Sequence, residues 1–251
     1  MENISLMLCG FAAGVVNSVA GGGALIIFPV LISMGLPAKI ANTTTSVGVY
    51  GGQISSAYGY KKFLKNLDSR LYIFLFLGLF GGAIGAYILG RISNNIFEDI
   101  APWFVLLAVV LLLLQSVLSK KITNINKTVN IPHTAMFLFL CIITLIISIY
   151  GGFFGAGMGI VIFAIIGFAG IKNVNQINGI KNLITIAVNT SANVYFIISG
   201  LIEWDMAIFL ILGSILGGFI GSKTASRLPA PLIRSFVIVA GIVAAIILFK
   251  R

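Results

Sequence analysis

Two glycine-rich segments interrupt long apolar runs and contain the residue types that could bind a small anion. They are Gly21-Gly22-Gly23 and Gly155-Ala156-Gly157-Met158-Gly159. Because glycine has no side chain, neighbouring backbone N–H groups can converge, and the N-terminus of a following helix adds positive partial charge. The alternative is that glycine here only permits close helix packing. We expect an anion site at these two breaks, and only packing at the glycines Gly81/Gly82/Gly85 and Gly217/Gly218/Gly221.

Polar side chains inside the apolar runs are further candidates, because such groups usually face the interior of a membrane protein. Asn182, Asn189 and Asn193 share one helical face. Lys181 has no acid close in sequence, and it either contacts an anionic substrate or extends to lipid head groups. The candidate substrate-binding residues are Asn17, Ser18, Gly21, Gly22, Gly23, Asn42, Thr43, Thr44, Gly155, Gly157, Gly159, Lys181, Asn182, Asn189 and Asn193.

Several chemistries have no residues to support them. No Asp or Glu lies deep in an apolar run, although proton relays through membranes commonly use such carboxylates. The sequence has no Walker A motif, no cluster of metal ligands and no credible nucleophile–base pair. We therefore expect neither an enzyme nor an ATP-driven pump, and we expect no cofactor and no metal site.

The composition predicts a polytopic membrane protein. Of the 251 residues, 59% are hydrophobic and 9% are charged, whereas soluble domains carry about 25% charged residues. Charge-free runs such as Leu71–Leu89 approach the roughly 20 residues that a spanning helix needs. The net charge of +10 comes from Lys and Arg between apolar runs, which argues against a nucleic-acid partner. We expect a multi-pass protein of the cell (inner or plasma) membrane, with the lipid bilayer and a small anionic substrate as partners; a homo-oligomer is left open.

An internal repeat organises the chain. Gly81–Arg91 and Gly217–Arg227, about 136 residues apart, are identical at five of eleven positions. This spacing predicts two membrane repeats, 1–125 and 126–251, an arrangement typical of secondary transporters. The expected fold is an all-α polytopic membrane protein with two homologous, inverted halves. Each half has a broken or hairpin first segment followed by three transmembrane helices.

The distribution of charge favours a hairpin over a single tilted crossing for each first segment. With hairpins, one face collects twelve of the sixteen basic residues, and the opposite face holds five of the six acids. The positive-inside rule then places both termini outside. The twelve basic residues are Lys61, Lys62, Lys65, Arg70, Lys120, Lys121, Lys127, Lys172, Lys181, Lys223, Arg227 and Arg234.

At these residues the sequence resembles the sulfite exporter TauE/SafE family. The motifs are NSVAGGG at Asn17–Gly23, Ala41-Asn42-Thr43-Thr44, YGGFFGAGMG at Tyr150–Gly159, and Lys181-Asn182 with Asn189 and Asn193. The resemblance covers essentially the whole chain. It implies the movement, most often the export, of small sulfur-containing anions such as sulfite or sulfonates.

Three functions fit these observations. The leading interpretation is a secondary carrier for a small anion, which works by alternating access around the two breaks. An anion channel would use the same breaks to line a hydrated pore. A non-transporting scaffold subunit is the third alternative, although a scaffold has no need of duplicated breaks.

Overall fold

The structure, a computed structural model, describes residues 2–65, 67–125, 133–171, 173–224 and 230–249. These residues form ten α-helices and one short 3-10 turn, with no strand among them. The first five helices are α1 (Glu2–Val19), α2 (Ala24–Ser33), α3 (Ala38–Gly59), α4 (Arg70–Arg91) and α5 (Asn94–Ile125). The others are α6 (His133–Phe153), α7 (Met158–Phe168), α8 (Val174–Ile198), α9 (Trp204–Thr224) and α10 (Ala230–Phe249).

Within the described residues, five segments are long and apolar enough to cross a bilayer, and the all-α membrane fold predicted from the sequence is confirmed. They are Glu2–Val19, Arg70–Arg91, Asn94–Leu114, Thr134–Phe153 and Trp204–Thr224. The helices α3 and α8 do not qualify because they carry many polar residues. Most of those polar residues are buried, since α3 and α8 pack against each other and against α9 and α4.

Each half begins with a helix, a glycine break and a shorter helix. The first pair is α1 and α2, and the second is α6 and α7. In the first pair the chain reverses direction, as two contacts between α1 and α2 show. A methyl group on Gly23 would collide with the carbonyl oxygen of Ala13, and farther from the break Cys9 Sγ lies 3.9 Å from the carbonyl oxygen of Ile26. The first segment is therefore a hairpin rather than one long tilted helix.

The second pair folds back in the same way. A methyl group on Gly151 would collide with the Met158 side chain just beyond the break. Farther along both helices, Leu140 of α6 and Ile166 of α7 line one cleft. Both first segments of the chain are thus helical hairpins.

The most extensive helix contacts join the two halves. Helix α1 packs on α9, and α4 packs on α6. The glycines that we assigned to packing make these contacts, as predicted: methyl groups at Gly85 and Gly217 would collide with the backbones of Ile149 and Phe11. Small residues thus let the helices of one half approach the backbones of the other closely.

One pair of helices that correspond in the repeat, α3 and α8, runs in opposite directions. Along α3 and α8, Ser46 pairs with Asn193 and Ser56 with Asn182, so the two helices are antiparallel. Such directions are what an inverted repeat requires. The division into repeats and their orientation in a membrane stay predictions, and Lys127, Lys172 and Arg227, used in the charge count, lie outside the described residues.

Candidate functional site

The first hairpin turns at a glycine in the left-handed region of the backbone. Gly21 has φ +78°, a conformation that other residues adopt only with strain. Helix α2 begins directly after this turn, at Ala24, and no side chain caps its first turn. Its N-terminus therefore presents uncapped backbone donors at the break.

The second hairpin repeats this geometry with two left-handed glycines. Gly155 and Gly157 both have φ +79°, and α7 begins directly after them. The Tyr150 hydroxyl donates to the carbonyl oxygen of Ala156 at 2.6 Å, which ties the turn to the end of α6. Gly21 and Gly157 occupy the same place in the repeat, so both halves make the turn with the same residue type and conformation.

The two breaks touch each other at the centre of the molecule. A methyl group on Gly21 would lie 3.0 Å from the carbonyl carbon of Gly159, and one on Gly159 would lie 3.1 Å from Gly21 Cα. The chain approaches this closely because both positions lack a side chain. The N-termini of α2 and α7, each with a positive partial charge, therefore converge on one place.

A small cavity lies at this meeting point. Its free volume of about 30 Å³ would hold roughly two water molecules. None of the described residues that line it is charged. They are Asn17, Gly21, Gly22, Gly23, Ala24, Thr45, Ser46, Val49, Gln53, Gly151, Phe154, Gly155, Gly157, Met158, Gly159, Thr185 and Asn189.

Five residues of the lining have backbone N–H groups without an acceptor in the described part of the chain: Gly22, Gly23, Ala24, Gly157 and Gly159. Unpaired buried N–H groups are costly, so native structures usually satisfy them with protein, water or a ligand. Two helix N-termini with free donors form a site suited to an oxyanion.

Side-chain hydrogen bonds between α3 and α8 form one wall of the cavity. Asn189 Nδ2 donates to Gln53 Oε1 at 3.0 Å. The repeat spacing maps Gln53 onto Asn189, so this bond joins equivalent positions of the two halves. The other bonds along α3 and α8 are Ser46–Asn193, Tyr50–Thr190 and Ser56–Asn182.

Lys181 is buried beside the first break rather than exposed at the surface. It is 1% exposed, and its ammonium donates to the carbonyl oxygens of Asn17 at 2.8 Å and Ser18 at 3.4 Å. These carbonyls end α1, where the helix dipole favours a cation. Burial rules out the head-group position that we considered for this residue. The side chain does not line the cavity, but Asn17 does.

The Asn42-Thr43-Thr44 motif lies near the other end of α3. Asn42 Nδ2 donates to the carbonyl oxygen of Phe153 at 2.9 Å, and Thr43 Oγ1 donates to that of Leu201. The Thr44 hydroxyl accepts from the N–H of Glu203 at 3.0 Å. These three residues tie α3 to the end of α6 and to the α8–α9 turn.

The predicted site residues thus divide into two groups. Eight line the cavity: Asn17, Gly21, Gly22, Gly23, Gly155, Gly157, Gly159 and Asn189. Seven do not line it, namely Ser18, Asn42, Thr43, Thr44, Lys181, Asn182 and Asn193, and all seven are buried in hydrogen-bonding positions. That any of the fifteen binds a substrate stays a prediction.

Four polar lining residues are absent from the predicted set: Thr45, Ser46, Gln53 and Thr185. Signals for them were present, because Thr45, Ser46 and Gln53 are polar residues within an apolar stretch, and Thr185 lies four residues before Asn189 and so shares its helical face. Gln53 faces Asn189 across the interface between α3 and α8, and only the pairing of the two halves reveals that contact.

Known proteins resemble the chain over nearly its full length. The sulfite exporter TauE/SafE family model matches residues 6–248. A "probable membrane transporter protein" of Haemophilus influenzae is 28% identical, with 95% of this chain and 91% of the relative covered. YfcA of Escherichia coli, also named a probable membrane transporter protein, is 25% identical over 95% of this chain and 86% of its own length.

No solved structure matches the chain. The family match covers both hairpins and all the residues at which they meet. The relatives bear the same general description, membrane transporter. This chain belongs to the sulfite exporter TauE/SafE family of membrane transporters.

Proposed function

We propose that this protein is a secondary carrier of the cell membrane that exports a small sulfur-containing anion, such as sulfite or a sulfonate. It is a transporter rather than an enzyme. The observation that carries the proposal is the convergence of two uncapped helix N-termini, α2 and α7, on one cavity lined by polar groups. Backbone donors and helix dipoles bind oxyanions without a fixed counter-charge.

The anion is the species that these groups favour. The described lining has no carboxylate to bind a cation, and its backbone donors come from helix N-termini. Asn17, Gln53 and Asn189 add side-chain amides that donate hydrogen bonds. The Lys181 amine, which contacts Asn17 of the lining, adds positive charge beside the first break when it is protonated.

The size of the cavity supports a carrier rather than a channel. About 30 Å³ of free space is too little for a hydrated oxyanion, so the two hairpins must separate before the substrate enters. The contact of Gly21 with Gly159 is the place where such a separation begins. Alternating access would then open the cavity to one face and afterwards to the other.

The test is flux in liposomes with purified protein. We expect saturable uptake of radiolabelled sulfite that increases when unlabelled sulfite is loaded on the opposite side. A substrate that binds the folded state also raises its melting temperature, so a panel of sulfite, sulfate, thiosulfate, sulfonates and carboxylates identifies the preferred anion. Ionic conductance without counter-substrate stimulation would indicate a channel, and the absence of any flux or binding would contradict the proposal.

A further inference from the structure

A groove on the outer surface, between α3 and α9, lies apart from the central cavity. Its volume is about 430 Å³, and it is lined by Gly51, Ile54, Ser55, Tyr58, Ile215, Leu216 and Phe219. Ile54, Ile215 and Leu216 are exposed, so the groove opens on the surface that the predicted bilayer would cover. Its apolar surface suits a hydrocarbon chain.

Two lysines and two aromatic rings stand at one end of the groove. Tyr58 and Phe219 are stacked, with ring centroids 6.5 Å apart. The Lys61 ammonium lies 4.0 Å from the Tyr58 ring centroid and donates to the Tyr58 hydroxyl at 2.9 Å. The Lys223 ammonium lies 4.0 Å from the Phe219 ring centroid. We name these four residues the basic clamp.

The basic clamp carries positive charge that the described protein does not neutralise. The ion pair between Arg70 and Asp68 is the one salt bridge found in the described residues, so neither Lys61 nor Lys223 has a carboxylate within 4.0 Å. Both lysines are exposed. Two cations beside an apolar groove complement a molecule with an anionic head and an acyl chain.

The corresponding positions of the other half carry no charge, although Arg91 Cζ lies 5.0 Å from the Tyr87 ring centroid near the end of α4. By the repeat spacing, Ile197 and Tyr87 stand where Lys61 and Lys223 stand, and Val194 and Ala83 replace the stacked rings. The fold alone therefore does not produce the basic clamp. It is a feature of one helix pair at one end of the molecule, the end at which the charge count places the cytoplasm.

We propose that the α3–α9 groove binds an anionic phospholipid, whose phosphate lies between the ammonium groups of Lys61 and Lys223 and whose acyl chain fills the groove. The lipid would bridge α3 and α9, which pack closely where Gly52 meets Ser214. Because α3 also forms one wall of the central cavity, a lipid held here would stabilise the helix that supports the transport site.

The experiment compares lipids and variants in purified, delipidated protein. Phosphatidylglycerol should raise the melting temperature of wild type more than phosphatidylcholine with the same chains does. In Lys61→Gln/Lys223→Gln the lipid concentration at half-maximal shift should rise by about tenfold or more, because each lysine near a membrane surface contributes to anionic-lipid attraction. Lys62→Gln/Lys65→Gln removes the same charge from exposed neighbours outside the clamp, and it should behave as wild type.

Three outcomes would overturn the proposal. Equal weakening in both double variants would indicate general surface charge rather than a site. Stabilisation by inorganic phosphate or glycerol 3-phosphate at the same concentration would indicate a free-anion site, with no role for the acyl chain. A lipid-free dimer in native mass spectra that Ile215→Asn dissociates would mean that a second copy, not a lipid, occupies the groove.

Discussion

The two breaks share a backbone design but differ in what holds the helix before each of them. In the second half, the neutral amide of Asn42 donates to the carbonyl oxygen of Phe153. At the corresponding place in the first half, the charged Lys181 donates to the carbonyl oxygen of Asn17. The repeat spacing maps Asn17 onto Phe153, so one position is capped by a cation in one half and by an amide in the other.

This difference shows how a symmetric backbone acquires an asymmetric field. Both breaks offer helix N-termini, and the Lys181 side chain passes between them: its Cδ lies 3.5 Å from a methyl group placed on Gly159, while its amine points to the carbonyl oxygen of Asn17 at the first break. A buried ammonium held by neutral carbonyls keeps an attraction for anions that an ion pair would cancel. We infer that the charge of the substrate lies on the side of the first break, toward the amine of Lys181.

The largest effect should follow from separating the breaks. We expect Gly21→Ala to abolish transport, because the methyl group would press on Gly159 at 3.0 Å. Gly159→Ala should do the same from the opposite side, without a left-handed backbone. Flux in liposomes is the measurement.

Gly35→Ala is the matched control for Gly21→Ala. Gly35 has φ +92° but nothing within 4 Å of an added methyl group. The Gly35→Ala variant should lose about 1–2 kcal/mol of stability from backbone strain alone and should transport as wild type does. If Gly21→Ala and Gly35→Ala transport equally well, contact between the breaks has no role in transport.

Replacing the two caps should separate their contributions. Lys181→Met should weaken anion binding by about 1–3 kcal/mol, because it removes a positive charge close to the cavity, and Lys181→Arg should be intermediate. Asn42→Ala should reduce stability but weaken binding less, since no charge is lost. Titration of each purified variant with the best anion, followed by thermal shift, gives both the stability and the anion affinity. Equal anion affinities in wild type and Lys181→Met would show that Lys181 has no role in anion binding.

A smaller effect is expected at the contact between equivalent positions, Gln53 and Asn189. Either alanine variant leaves the other amide buried without its partner, which should cost about 1–3 kcal/mol of stability. The double variant should cost less than the sum of the single variants, with a coupling of about 0.5–1.5 kcal/mol. Additive losses in denaturant titrations would mean that the hydrogen bond contributes nothing.

The last comparison is between the two ends of the molecule and tests their orientation in the membrane. Its single-cysteine variants should leave transport unchanged. In a variant without Cys9 and Cys141, Ile202→Cys should react with an impermeant thiol reagent in intact cells. Ser69→Cys should react only after lysis. Both the α8–α9 turn and the end of α4 contact the start of α3, so the start of α4, where Ser69 lies, is at the opposite end of the structure. Labelling of Ser69→Cys in intact cells would contradict the predicted orientation.

The sequence predicted the helical membrane fold and the positions of both breaks because each has a local signature. Long apolar runs mark the spans, and clustered glycines mark the turns. It could not predict that Gly21 would meet Gly159, because that contact depends on how the two halves pack. The partners of Lys181 could not be predicted either, because every residue has a main-chain carbonyl and the residue type does not show which one accepts the hydrogen bond.

Helix ends were predicted less well than helix centres. The sequence has an apolar run at 101–118, but helix α5 extends over Asn94–Ile125, beyond that run at both ends. Polar residues such as Asn94 and Glu98 continue it outside the apolar core through their own side-chain hydrogen bond. Apolar patterning marks the part of a helix that contacts lipid, not its full length.

The exchange of helix contacts between the halves has a consequence for biogenesis. Helix α1 is synthesised well before α9, on which it mainly packs, because seven of the described helices lie between them in the sequence. Helix α3 is too polar to be a stable single span and also waits for α8 and α9. Early helices must therefore remain near the insertion machinery until the second half arrives, and either half expressed alone should be degraded, whereas the two co-expressed halves should assemble.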